Sequence, residues 1–137
     1  MKLRNFEIYS SIELRSGDSF WDIHNSAIFD CLELLPRENV AVMRWSLPAG
    51  SNGKFSGIQL RFRSLQFLSV GLRDEKMPLS EDTCVSYVLK VDPRVENADP
   101  YLRQVFELSE SFRLLFKFQS RRIIEVGSES VELIPIG

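Results

Sequence analysis

The chain has 137 residues, of which 44% are hydrophobic and 26% charged, and its formal net charge is −2. This length and composition fit a single globular domain over 1–137 that buries its own core, and they exclude a disordered chain. The charge excludes a strongly basic protein, so we predict no nucleic-acid partner, because affinity for a phosphate backbone comes first from clustered positive charge.

The first residues predict a strand followed by a turn. Apolar and polar side chains alternate over 6–14, which is the two-residue period of a half-buried strand. Residues 16–18 break the pattern, and Asp18 or Ser19 is a suitable helix N-cap. We therefore expect a short helical turn over 20–24.

Two apolar-rich runs, 27–35 and 40–47, predict a β-hairpin. They are joined by 36–39, where Pro restricts one backbone dihedral and Asn tolerates the left-handed conformation. In the second arm, alternation places Trp45 on the face that points into the core. We expect a structural role for this indole.

Residues 48–54 are small or turn-forming and predict a surface loop. Two strands should follow, over 58–63 and 68–73, because apolar and polar side chains alternate in both. The loop is superficially similar to a phosphate-binding loop, but that pattern fails at Pro48 and Phe55. No cofactor is predicted.

The segment 80–91 is compatible with two structures. Its first residues, Ser80 to Asp82, suit a capped helix start, with carboxylates at the positive end of the helix dipole. The Val, Thr and Tyr residues that follow favour an extended strand instead. We favour the helix and keep the strand as the alternative.

A second short helix is expected to begin at Asp99-Pro100. Asp is a good N-cap and Pro fits the first helical position. The spacing of Leu102, Val105 and Phe106 would place these side chains on one face.

The C-terminal part returns to strands. Alternating or continuous apolar runs predict strands over 112–118, 123–126 and 131–134, with 127–129 dividing the last two.

A weak internal repeat relates 61–71 to 117–127. In each copy a strand ends in Phe, a polar break at Ser follows, and a second apolar run ends in Val-Gly. The repeat predicts a β-hairpin used twice, arising either from duplication or from the composition that hairpins share.

These elements predict a mainly β protein (β-rich α+β). We expect an antiparallel β-sandwich or a partly open barrel of about seven to eight short strands with one or two short helices.

His24 is the only histidine and lies close to Asp22 and Ser26 in the sequence. These residue types occur in hydrolase triads, but proximity along the chain does not supply the required geometry, and we predict no catalytic residue. One imidazole without a pair of thiolates is also a poor transition-metal shell. No metal site is predicted.

Arg61 and Arg63 alternate with Phe62, so a strand that buries Phe62 turns both arginines toward solvent. A charged sheet face of this kind, or the loops around Asn52 and Lys76, would suit a protein partner. The candidate partner- or ligand-binding residues are Trp21, His24, Asn52, Lys54, Arg61, Arg63, Arg73 and Lys76.

Cys31 and Cys84 are far apart in the sequence and form no C-x-x-C pair. Two free thiols in a reducing compartment are expected, with a disulfide as the alternative.

Residues 1–7 carry charges where a signal peptide is apolar, and no apolar run approaches the ~20 residues of a membrane span. We expect a cytoplasmic protein without a membrane partner.

These features favour a noncatalytic protein-interaction or inhibitory domain with an unidentified protein partner. In type only, the chain resembles bacterial immunity proteins that block a toxin, which implies inhibition by binding. One alternative is a hydrolase-like enzyme that uses His24, and a long edge strand could also support a homodimer. The other alternative is a small-ligand-binding β-barrel whose pocket is lined by some of Trp45, Phe62, Phe67, Phe116 and Phe118.

Overall fold

Strands dominate the computed structural model, which describes residues 1–48, 54–106 and 110–137. Within these ranges the only helices are two short 3-10 turns, at Leu79–Thr83 and Pro100–Arg103. The predicted mainly β fold is confirmed. The strands are β1 (Lys2–Leu3), β2 (Glu7–Ser10), β3 (Glu13–Ser16), β4 (Ser19–Asp22), β5 (Ile28–Leu35), β6 (Val40–Ser46), β7 (Gly57–Val70), β8 (Val85–Val91), β9 (Arg113–Phe118) and β10 (Ile123–Ile136).

The strands form two sheets. The larger has the order β5-β6-β7-β10-β9-β8 with antiparallel neighbours, and β1 adds to β10 in parallel. It curls into a half-barrel, in agreement with the predicted partly open barrel. The smaller sheet, β2-β3-β4, contributes side chains to the same core.

The two longest strands, β7 and β10, pair antiparallel along almost their whole length. Their register shifts once, next to Gly127. Opposite this region Ser64 adopts a left-handed conformation with φ 55°. Irregularities of this kind bend and twist a sheet, which is how such long strands can follow a curled surface.

The predicted division of each of these strands is wrong. The sequence predicts 58–63 and 68–73 as separate strands, and likewise 123–126 and 131–134. Instead, β7 is one strand that ends at Val70, so 71–73 lie outside it, and β10 is one strand over Ile123–Ile136. The polar residues between the runs do not end the strands, because β7 and β10 pair with each other before and after the register shift.

The repeat over 61–71 and 117–127 is therefore not a hairpin used twice. The second copy is a true hairpin, β9–β10, whose turn contains Arg121 with φ 68°. The first copy lies mostly within β7, and the later halves of the two copies pair with each other.

Two helix predictions are wrong for the same reason. Residues 20–24 were expected to be helical, but Trp21 pairs with Leu14 across β3 and β4 and both are buried. The favoured helix over 80–91 is limited to the Leu79–Thr83 turn, and β8 follows it. In both places burial against a neighbouring strand overrides local capping signals.

The predicted opening strand over 6–14 is a hairpin, β2–β3, with a turn at Ser11-Ile12.

The helix start at Asp99-Pro100 is confirmed as a 3-10 turn, in which the Asp99 carboxylate accepts the Tyr101 N–H at 3.0 Å. The turn ends at Arg103, so Phe106 lies outside it and is exposed.

The hairpin of β5 and β6 is confirmed, and Asn39 in its turn has φ 55°. Trp45 is 1% exposed, as expected for a core residue. The predicted loop over 48–54 falls largely on 49–53, outside the described residues.

The concave side of the half-barrel is filled by side chains. β5 and β8 are the free ends of the curled sheet and do not pair, but the ring of Phe29 in β5 lies 4.9 Å from the ring of Phe118 in β9. Side-chain packing therefore covers part of the opening. The largest fully buried aromatic residues are Trp21, Trp45, Phe62, Phe116 and Phe118.

β6 and β7 approach each other closely at Gly57, and a substitution there tests this approach. A Cβ at this position would lie 2.6 Å from the Trp45 carbonyl oxygen, a backbone atom that cannot move alone. We expect Gly57→Ala to lower the free energy of unfolding by about 1–3 kcal/mol, measured by urea denaturation. Gly137→Ala is the matched control, because a Cβ there meets nothing within 4 Å. Equal stability of the two variants would contradict the close approach.

Candidate functional site

The connection over 71–84, which we call the 71–84 loop, joins β7 to β8 and is bound to the β9–β10 turn by backbone hydrogen bonds. The Asp74 N–H donates to the Ser120 carbonyl at 2.7 Å, and the Ser120 N–H donates to the Glu81 carbonyl at 3.0 Å. Two distant points of the loop are thus held by one residue of the turn.

A side-chain cluster of Asp82, Ser120 and Arg122, called the Asp82 cluster below, reinforces this attachment. Arg122 donates to both carboxylate oxygens of Asp82, at 2.9 and 3.1 Å, and the Ser120 hydroxyl donates at 2.6 Å. Arg122 also donates to the Gly71 carbonyl at 2.7 Å, which fixes the start of the loop. Charge-assisted pairs with two parallel bonds are among the stronger polar contacts in proteins.

The cluster lowers the pKa of Asp82. Burial alone would raise it, but hydrogen bonds from Arg122 and Ser120 outweigh that effect. The carboxylate therefore stays charged to lower pH in the folded chain than it does after unfolding.

Arg73 holds the same loop from within. Its guanidinium donates to the carbonyls of Met77 at 2.7 Å and Pro78 at 3.0 Å. The candidate partner-binding Arg73 thus already serves the loop backbone. The candidate Lys76 is exposed, and its backbone N–H donates to the Asp74 carboxylate at 2.9 Å.

Two leucines on this loop project into solvent. Leu72 is 92% exposed and Leu79 is 76% exposed. Single exposed apolar residues are common on protein surfaces. These two lie on one loop whose backbone is fixed at several points, so they are held in place at the surface. The predicted binding residues include Lys76, which lies between the two leucines in the sequence, but neither leucine.

The predicted charged sheet face is present, but its charges are paired within the chain. Phe62 is buried and Arg61 and Arg63 point away from it, as alternation predicts. Arg61 lies 3.0 Å from Glu38, and Arg63 lies 3.9 Å from Glu132. A face of matched ion pairs has little net charge with which to attract a partner.

The other candidates do not gather into one site. Trp21 is 2% exposed and packs against Phe55, with ring centroids 6.0 Å apart, so its indole belongs to the core. Lys54 is exposed, and its Nζ lies 5.2 Å from the centre of the same ring. Asn52 lies outside the described residues.

His24 is held by structural contacts. Its Nδ1 lies 2.8 Å from the Val85 carbonyl, to which it donates as the protonated ring nitrogen. Asp22 accepts the backbone N–H groups of His24 at 3.0 Å and Asn25 at 2.9 Å, which is a local turn. The carboxylate therefore does not orient the imidazole as it would in a triad.

The Cys84 thiol contacts His24, and no motif in the sequence predicts this contact. Its Sγ lies 3.7 Å from Nδ1 and donates to the His24 carbonyl at 3.4 Å. Burial raises the pKa of the thiol, and the negative charges of Glu81 and Asp22 add to that effect. A cysteine nucleophile needs the opposite shift, so this pair lacks the activation of a cysteine hydrolase.

A second buried ion cluster lies on the outer side of the sheet. Glu125 accepts from Arg103 at 2.6 and 3.0 Å and from Arg113 at 3.1 Å, and Arg113 stacks 3.6 Å above the ring of Phe67. Burial alone would raise the pKa of Glu125, but the two arginines lower it. A Cβ at Gly127 would press on both Arg113 and Phe67, at 3.2 Å each, so glycine leaves room for the stack.

Two surface clefts of about 370 and 350 Å³ flank this cluster. The larger contains Arg94 and Arg103, but Arg94 is already paired with Asp92 and Arg103 with Glu125. Neither guanidinium is left without a carboxylate, so the cleft offers no unmatched charge to an anionic ligand.

No set of three metal-ligating side chains occurs among 1–48, 54–106 and 110–137, and none of the helices there is long and apolar enough to cross a membrane. Comparison of the chain with protein-family models, with curated proteins and with solved structures found no match. The predicted partner, location and oligomeric state remain predictions.

Asp82→Asn tests the attachment of the 71–84 loop. We expect a loss of about 1–2 kcal/mol in unfolding free energy at pH 7, because the charged partner of Arg122 is removed. The folded-state pKa of Asp82 is lowered from 3.8, so its contribution is present above about pH 4 and is lost as the pH falls further. Stability should therefore fall less steeply with acid in the variant.

The measurement is urea denaturation from pH 7 to pH 2.5. Glu75→Gln is the matched control, since Glu75 is an exposed carboxylate on the same loop. Parallel pH profiles for the unmodified chain and Asp82→Asn would show that the ion pair does not stabilise the fold.

Proposed function

We propose that this chain is a noncatalytic protein-interaction domain that binds its partner through the 71–84 loop. The observation that carries the proposal is the exposure of Leu72 and Leu79, 92% and 76%, on a backbone held by the Asp82 cluster. An inhibitory role of the immunity type, in which binding blocks the partner, is one form of the same proposal.

Rigidity supports a binding role for the loop. Ordering a flexible loop on binding costs conformational entropy, and a loop that is already fixed avoids most of this cost. Each leucine that becomes buried in an interface releases apolar surface from water, worth about 1.5–3 kcal/mol when burial is complete. Two such residues can therefore supply a substantial share of a micromolar affinity.

The surroundings of the leucines also fit an interface. Protein interfaces commonly have an apolar centre and a polar rim. Lys76 and Glu75 are exposed on the same loop, and Arg121 on the adjacent turn is 72% exposed in its side chain. These long charged side chains could form the rim and select the partner by charge.

The alternatives have less support. A ligand-binding barrel needs an empty interior, whereas Trp45, Phe62 and Phe116 are at most 1% exposed and fill the concave side. A hydrolase needs an activated nucleophile, whereas Cys84 beside His24 has a raised pKa.

Leu72→Asp combined with Leu79→Asp tests the proposal. The chain is used as bait in a lysate of its native host, and captured proteins are quantified by mass spectrometry. We expect the unmodified chain to retain a stoichiometric protein and the double variant to lose it at least tenfold, because a carboxylate at each position opposes burial. The melting temperature should stay unchanged, since both side chains face solvent.

Leu102→Asp is the matched control, because Leu102 is 67% exposed on a different surface, and it should retain the partner. Capture that is equal for the unmodified chain and the double variant would refute the loop as the binding site. A copurifying small molecule without any protein partner would refute the interaction proposal itself.

A further inference from the structure

The two free edges of the large sheet differ. Along β8 the chain supplies its own partners on the outer side: the Val88 N–H donates to the Ser11 carbonyl at 2.7 Å, and the Lys90 carbonyl accepts the Val105 N–H at 2.9 Å. These contacts occupy backbone groups that would otherwise be open to another strand.

Among the described residues, nothing supplies such partners along the outer edge of β5. The Leu47 N–H, directly after β6, donates to the Ser56 carbonyl, directly before β7, at 2.9 Å. Backbone groups of successive residues in a strand point to opposite sides. The odd-numbered residues of β6 therefore direct their N–H and C=O groups toward β7, and the even-numbered residues direct theirs toward β5. The register pairs those even-numbered residues with odd-numbered residues of β5. Leu32 and Leu34 therefore point their N–H and C=O groups away from the sheet.

None of these four backbone groups is hydrogen-bonded to a described residue, through either its main chain or its side chain. The edge is partly blunted, because a bulge between Phe29 and Cys31 interrupts its first half. A regular stretch of five residues remains, Cys31 to Leu35, and Leu34 is 48% exposed there. This length is sufficient for one short strand to be added.

The charges of β5 indicate which kind of strand fits. The strand carries Asp30 and Glu33 and no cationic residue. Glu33 is paired with Arg44 of β6 at 2.5 Å, whereas the one described residue that donates to Asp30 is Ser46, through its neutral hydroxyl. Two copies of β5 side by side would bring two uncompensated Asp30 carboxylates to one seam, which opposes self-association. A strand with Lys or Arg opposite Asp30 would meet an uncompensated charge.

We propose that the outer edge of β5 binds an extended segment of a protein partner, as an added antiparallel or parallel strand with a Lys or Arg opposite Asp30. This inference rests on the proposed function in taking the ligand to be a protein. The Leu79–Thr83 turn of the 71–84 loop lies close to β5, so the two proposed binding surfaces belong to neighbouring elements.

The probe is a display library of random ten-residue peptides selected on the unmodified chain. We expect enriched peptides to carry a Lys or Arg at the position that lies opposite Asp30. Their affinity for Leu34→Pro should fall about tenfold, because proline removes the outward N–H group but is tolerated at an edge. Leu34→Ala is the matched control, since it removes the same side chain and keeps the N–H group, and it should bind close to normally.

A second measurement does not depend on how the proline variant folds. Amide hydrogen exchange by NMR on the unmodified chain should show the Leu32 and Leu34 amides exchanging fast, and an enriched peptide should protect both. Protection confined to other residues would overturn the proposal. So would a library without enriched basic peptides, or equal binding to the two Leu34 variants.

Light scattering tests whether a second copy of the chain, instead of another protein, occupies the β5 edge. A dimer that Leu34→Pro dissolves would assign the edge to a second copy and overturn the proposal. The chain with Leu72→Asp and Leu79→Asp should still bind the enriched peptides, so failure of the loop as a binding site would be distinguishable from failure of the β5 edge.

Discussion

The pairing of β7 with β10 is the constraint on which the other elements depend. These strands join the two halves of the large sheet, with β6 and β5 on one side and β9 and β8 on the other. Their left-handed and bulged positions near Ser64 and Gly127 permit the curl that encloses the aromatic core. The 71–84 loop leaves from the end of β7 and is bound to the turn that leads into β10, so the same pairing also positions the candidate binding surface.

Most arginines whose contacts are described act within the chain. Arg122 and Arg73 fix the 71–84 loop, Arg103 and Arg113 neutralise the buried Glu125, and Arg61 pairs with Glu38. The features proposed for recognition are of a different kind, namely the exposed leucines and the backbone edge of β5. We therefore propose recognition through apolar surface and main-chain hydrogen bonds, with charge acting mainly in the selection of the partner.

The contacts of His24 show why reactive residue types do not by themselves make an active site. The imidazole and the Cys84 thiol are neighbours, yet each is engaged with a backbone carbonyl, and burial disfavours the thiolate. Together they tie the turn after β4 to the start of β8. A structural explanation accounts for these contacts without any reaction.

The sequence by itself determined the mainly β fold, the β5–β6 hairpin, the burial of Trp45 and the cap at Asp99, because alternation and turn chemistry are local properties. It also placed Lys76 on a candidate loop. Only the tertiary structure decided that 20–22 and 85–91 are strands, that β7 and β10 run unbroken, and that Arg73 faces the loop backbone. For the strands, the deciding energy came from a neighbouring strand, such as Trp21 against Leu14. For Arg73, it came from the loop carbonyls of Met77 and Pro78, which the folded loop brings within reach. Such contacts leave no periodic signal in the sequence.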